Sequence, residues 1–136
     1  MHTTNYFDTL IEAAEDCPVE KAEIPVEKNG KKTVAVLQFE MIFENPYQYT
    51  SEEVIFTAYA VKNEIPDKDL INERQNFFSK GQACLRSSLL TKRYGWGVHS
   101  NSKGKVALFA IESEEYQKFM NDKTLSHTKA MRSKRK

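Results

Sequence analysis

Residues 33–81 hold three helix-length segments, each with its own start and stop signal, and this punctuation constrains the fold more than any other feature. Thr33 stands as a capping hydroxyl ahead of VAVLQFEMIFEN. Leu37 and Met41 fall four apart, as do Phe39 and Phe43, so the helix is apolar over a wide arc and is expected to be buried on more than one side. Asn45-Pro46 stops it, because proline disfavours helical geometry in the residue before it. Thr50-Ser51-Glu52-Glu53 then sets a hydroxyl three residues ahead of a glutamate, the spacing of a capping box. Val54, Ala58 and Val61 follow in one row, with Ile55 and Tyr59 beside it, until Ile65-Pro66. A third helix is expected over residues 68–78, capped by Asp67 and closed by Gly81. In it Leu70, Arg74 and Phe77 share one row, Ile71 and Phe78 another.

Strand signals lie on either side of this helical middle. YFDTLIEAA reads as a strand that ends near Glu15-Asp16-Cys17-Pro18, and KAEIPVE as a short extended piece whose Pro25 suits a sheet edge. Residues 27–32 form a turn in which Asn29-Gly30 supplies positive φ cheaply. After an irregular GQACLR, residues 88–94 read as a short helix closed by Gly95. WGVH and KVALFAI bracket Ser100-Asn101-Ser102-Lys103-Gly104, a β-hairpin with a loop of turn-forming residues. Ser113 caps a last helix that turns Tyr116, Phe119 and Met120 inward. The fold class is therefore α+β: a small antiparallel sheet, made of the N-terminal strand and the C-terminal hairpin, packed on one side by about three to five helices. Residues 1–123 form one domain, and 124–136 a flexible basic tail.

Composition sets the class. A 136-residue chain, 40% hydrophobic and 29% charged, is the size and texture of one globular domain. No apolar run approaches the roughly 18 residues that span a bilayer. MHTTNYFDTL lacks the basic and apolar regions of a secretory leader, and two cysteines make no disulfide framework, so a cytoplasmic protein is expected. The net charge of +1 hides strong segregation. Residues 1–78 carry 7 Lys/Arg against 15 Asp/Glu, whereas 79–111 carry 6 Lys/Arg and no acid. Residues 123–136 add 6 more bases and again no acid. Either the basic blocks answer the acidic helices within the fold, or they face an anionic partner.

Four strings, MHTTNY, EDCP at 15–18, LTKRYGWGVH at 90–99 and AMRSKR near the end, together resemble a family of small bacterial proteins classed as a domain of unknown function. The resemblance runs over nearly the whole chain, with Lys92-Arg93-Tyr94-Gly95-Trp96-Gly97 its most specific part. One departure is Leu89, where the family pattern commonly has proline at the first helical turn. The resemblance implies a fold and a compartment, and no activity.

Chemistry-bearing residues are few. Cys84 sits in the acid-free block with Arg86 two residues on, so a thiol enzyme with Cys84 as nucleophile and His99 as base is one expectation. Buried free thiols, Cys17 included, are the plainer alternative. His2, His99 and His127 are too scattered for a metal site, and the glycines form no phosphate loop, so no cofactor is expected. Carboxylate pairs such as Glu12/Glu15 and Glu52/Glu53 lie where helix starts and solvated faces use them anyway. What remains is a basic aromatic segment. Arg86, Lys92, Arg93, Tyr94, Trp96, His99 and Lys105 combine cations with stacking groups, the pair that holds phosphates and bases. On a strand, Trp96 and Val98 point one way while Gly97 and His99 point the other, so Trp96 is alternatively the anchor of the hairpin. The leading expectation is a non-enzymatic binding domain that uses 79–111 for an anionic ligand, nucleic acid or acidic partner. A homodimer paired through an exposed strand edge is the third.

Overall fold

The computed structural model describes residues 3–132; His2 and residues 133–136 of the expected tail lie outside them. The elements run β1 (Thr9–Glu12), α1 (Val34–Phe43), α2 (Ser51–Lys62), α3 (Leu70–Phe78), α4 (Leu89–Lys92), β2 (Trp96–Ser100), β3 (Val106–Ala110), α5 (Glu114–Met120) and β4 (Ser126–Lys129). The α+β class stands. Thr33 Oγ1 accepts the Val36 N–H at 3.2 Å, and Thr50 and Glu53 form the reciprocal capping box that their spacing predicts.

The sheet order is β3-β2-β1-β4. The N-terminal strand joins the hairpin as expected, with Ile11 opposite Val98 and Val98 opposite Leu108, both pairings antiparallel. Two features of the sheet depart from the expectation. β4 pairs parallel with β1, so the sheet is mixed, and it lies within the stretch expected to be a loose tail. Ser126 N–H donates to Asp8 C=O and Ala130 N–H to Glu12 C=O, while Lys129 Nζ meets Glu15 Oε1 at 2.8 Å. A four-residue Ser-His-Thr-Lys strand on an edge has no hydrophobic alternation to betray it, because its partner supplies the ladder.

The second departure follows from the first. β3 and β4 run parallel with two strands between them, so their connection crosses a sheet face. That connection carries α5, which covers the face opposite the other helices. Helices therefore pack on both sides rather than one. On one face Ile11, Trp96, Val98 and Leu108 meet Phe39 and Ile42 of α1 and Val54 of α2. On the other, Leu10 and Ala107 are fully buried, and Phe119 of α5 packs on His99 and Phe109.

A satellite cluster of Phe56, Ala60 and Phe78 holds α3 against α2. It buries only one side of α3, so Ile71 stays 76% exposed, and Val61 and Met120 also face out rather than in. A 3₁₀ turn over Asp67–Asp69 leads into α3 with no side-chain cap, and the helix closes on Ser79, whose Oγ donates to Asn76 C=O, before reaching Gly81. KAEIPVE forms no strand. It crosses the end of β2 as coil, with Glu23 N–H bonded to Tyr94 C=O at 2.8 Å.

Candidate functional site

Trp96 is where the basic aromatic segment meets the core. The indole is 6% exposed, lies 5.3 Å from the Phe39 ring and 5.7 Å from Phe43, and donates Nε1–H to Glu23 C=O at 2.9 Å. It is a core anchor and offers no stacking platform. Its two glycines have separate reasons. Gly95 takes φ +79, and a Cβ there would stand 2.9 Å from Val19 Cγ2 and 3.2 Å from Ala22 Cα, so the 19–23 segment can cross only a glycine. At Gly97 a Cβ would stand 2.4 Å from Tyr116 Cε2, the ring that fills the opposite face.

His99 points to that opposite face. Its ring stacks on Phe119 at 4.3 Å, and its Nδ1 shares a 2.9 Å hydrogen bond with Tyr47 Oη. Burial pulls its pKa below the usual imidazole value, partly opposed by Asp8 and Asp122. Tyr47 holds φ +60, an uncommon conformation for a bulky residue, fixed by its N–H to Val106 C=O. Nothing in the sequence marks Tyr47 as the partner of His99 beyond the turn signal of Asn45-Pro46.

Cys84 lies elsewhere. Its Sγ is 3.3 Å from Tyr6 Oη, and it lines a 240 Å³ cleft with Ala35 and Gln38 of α1. The adjacent Leu85 belongs to the core on the face of α1 and α2. The sheet stands between this thiol and the imidazole, so the structure does not bring Cys84 and His99 together. Tyr6 and Gln38, which do accompany Cys84, carry no spacing signal that sequence reading could have used.

The cations of 79–111 do not form one face either. β2 puts roughly 16 Å of strand between Arg93 and the hairpin loop. At the loop, Lys105 donates its N–H to Asn101 Oδ1, and its Nζ reaches Gln48 C=O only at 3.5 Å. Arg86, Lys92 and Arg93 gather at the other end. Arg86 Nε–H donates to Lys129 C=O at 2.7 Å, and Arg86 C=O accepts the Met131 N–H at 2.7 Å. Thr91 C=O accepts the Ala14 N–H at 2.9 Å, which sets Lys92 and Arg93 beside residues 12–16. Tyr94 is half-buried against the core.

Ion pairing separates the two basic blocks. Lys129 and Arg132 both reach Glu15, at 2.8 and 3.9 Å, and His127 reaches Glu12 at 3.3 Å. Lys80, Arg86, Lys92, Arg93, Lys103 and Lys105 form no ion pair with any described carboxylate. Lys32 and Arg74 answer Glu40 and Glu52 of the acidic helices, His127, Lys129 and Arg132 answer Glu12 and Glu15 at the end of β1, and the acid-free block pairs with no described carboxylate.

Other surfaces are apolar. A 530 Å³ cleft between α2 and α3 is lined by Ala60, Val61, Leu70 and Ile71, with Arg74 at its rim already engaged by Glu52 and by the Phe78 ring. Thr3 Oγ1 also donates to Glu52, so this buried carboxylate ties the N-terminal arm to α2 and α3. Along the β3 edge the register turns the backbone N–H and C=O groups of Val106, Leu108 and Ala110 outward, while the Val106 and Leu108 side chains stay in the core. Tyr47 and Tyr49 take the Val106 groups and Ser113 takes Ala110 C=O, leaving the Leu108 N–H and C=O open. The other edge, β4, is polar throughout.

Among the described residues no helix is long and apolar enough to cross a membrane, and no three His, Cys, Asp or Glu side chains are grouped to hold a metal ion. Neither the curated proteins nor the solved structures contain a match to this chain. A family of unknown function, DUF6157, matches residues 1–136, and the chain belongs to that family.

Proposed function

We propose that this is a non-enzymatic binding domain of the bacterial cytoplasm whose partner is anionic and docks at the corner formed by Arg86, Lys92 and Arg93. The observation that carries the reading is the unequal pairing of the two basic blocks. Lys129 and Arg132 share one carboxylate, while Arg86, Lys92 and Arg93 form no ion pair among the described residues. A cation left without a counter-charge at a half-exposed surface keeps its long-range field, and a cluster of them favours phosphates or carboxylates. Trp96 and His99 leave the binding set because one is core and the other faces α5, and Lys105 leaves it because it lies beyond the strand. The contact is therefore electrostatic and indifferent to base identity, since no indole or imidazole is free to stack.

The test is anisotropy of labelled single-stranded RNA, duplex DNA and poly-glutamate against the protein over a salt series. Binding to at least one is expected, weakening steeply with salt. Lys92→Ala with Arg93→Ala is expected to lower the slope of log affinity against log salt by about 2 on duplex DNA. Absence of binding to all three at low ionic strength sinks the reading, as does a double variant with an unchanged slope.

A further inference from the structure

The cleft at Cys84 holds a thiol, a free amide donor and an otherwise apolar lining. Val34, Ala35, Ile55 and Leu89 supply the apolar walls of its 240 Å³. Gln38 is 7% exposed and opens onto the same cleft. Its Oε1 accepts the Ser88 Oγ–H at 2.7 Å, which fixes the carboxamide, while its Nε2 has no acceptor among the described residues. This donor stays open to the cleft while the rest of the amide is buried and fixed, so a ligand that carries an acceptor can take it without displacing a protein partner. No full charge lines the cleft. Arg86, two residues on, is not part of the lining: its Nε–H is held by Lys129 C=O, and its charge acts on the Tyr6 phenol from outside the cleft. The lining itself offers a carboxylate or phosphate no counter-ion, whereas a neutral carbonyl oxygen fits one N–H donor and apolar walls.

We propose that this cleft binds a small aldehyde and that Cys84 captures it reversibly as a hemithioacetal. In that step the Sγ–carbon bond forms and the carbonyl π bond opens. The thiol proton ends on the former carbonyl oxygen, and nothing leaves. Gln38 Nε2–H faces that oxygen and stabilises the charge that builds on it during addition. Tyr6 Oη, 3.3 Å from Sγ, is the group placed to carry the proton between sulfur and oxygen. Burial and the neighbouring thiol raise the pKa of Tyr6, partly opposed by Arg86, so the phenol keeps its proton at neutral pH, and either the phenol or the thiol can donate across their contact. The lining of the cleft, on the α1 side, shares no residue with the cationic corner, so the two proposals fail or hold separately.

Cys17 provides an internal control, because both thiols are free and each is partly exposed. The experiment follows maleimide labelling of the intact protein by peptide mass spectrometry at each cysteine, with and without propanal. Propanal is expected to slow labelling at Cys84 and leave Cys17 unchanged, and the Cys84 rate should recover when the aldehyde is removed. Gln38→Leu is expected to weaken the protection by about fivefold in propanal concentration, the worth of one hydrogen bond. Equal rates with and without propanal at Cys84 overturn the proposal without recourse to any variant. So does equal slowing at both cysteines. If Gln38→Leu unfolds, Tyr6→Phe serves instead, with slower onset of protection at an unchanged final level; an unchanged onset counts against the proton route.

Discussion

The two faces of β2 fill their space in opposite ways. Toward α1 the strand itself supplies the bulk: Trp96 and Val98 project into a cluster with Phe39 and Ile42. Toward α5 the strand withdraws, with Gly97 leaving a gap that the Tyr116 ring occupies, and only His99 projecting beside it. One face depends on side chains carried by the strand and the other on side chains delivered by a helix. Substitutions on the two faces should therefore fail differently, one by leaving a void and the other by filling a space already taken.

Trp96→Ala carries the largest expected effect. It removes the anchor of the α1 face and the Nε1–H bond to Glu23 C=O, so a loss of about 3–5 kcal/mol in urea unfolding is expected. A loss under about 1 kcal/mol would mean that the core does not rest on the indole. Gly97→Ala comes second, at about 1–3 kcal/mol, because the new Cβ stands within 2.4 Å of Tyr116 Cε2. Repeating it in a Tyr116→Leu background should shrink the cost; full additivity would show that the ring is not what the glycine accommodates.

The smallest effect is the pH response of His99. Burial lowers its folded pKa below the ordinary value near 6.5, so the unfolded chain takes up this proton first. Its contribution to stability is complete above that ordinary value and is lost as pH falls from there through the folded pKa. Asp8 and Asp122 oppose the shift, which keeps the effect modest. In His99→Gln the urea midpoint should vary less between neutral and mildly acidic pH than in the parent protein. Identical profiles would show that the imidazole stays solvated despite Phe119 and Tyr47.

The same contrast explains what could be read from the chain. Where a local signal carries the structure, reading succeeds: Thr33 and Thr50 cap their helices, Ser113 caps α5, and Asn101 to Lys105 turn the hairpin. Where the partner carries it, reading fails. Ile71 sits in an apolar row yet faces solvent, because only one side of α3 meets α2. Gly81 follows a helix that has already closed at Ser79.

The candidate site divides in the same way. The choice of Arg86, Lys92 and Arg93 follows from charge segregation, which needs only composition. Removing Trp96, His99 and Lys105 from that set required knowing which face each residue meets. Alternation assigns Trp96 and His99 to opposite faces but does not say that α5 covers the second, since that depends on β3 and β4 being parallel.

By itself the sequence determined the helix boundaries that rest on hydroxyl caps, the hairpin, the membership of residues 1–136 in one family, and the uneven distribution of charge. These are set by contacts between residues a few positions apart, or by counting. The tertiary structure alone decided that the last strand pairs in parallel with the first and that α5 takes the second face. It also decided that Cys84 meets Tyr6 rather than His99, and that Glu15 pairs with the last strand while Lys92 forms no ion pair with a described carboxylate. The Cys84–Tyr6 and Glu15–Lys129 contacts join residues 78 and 114 positions apart, and no local preference encodes such a contact.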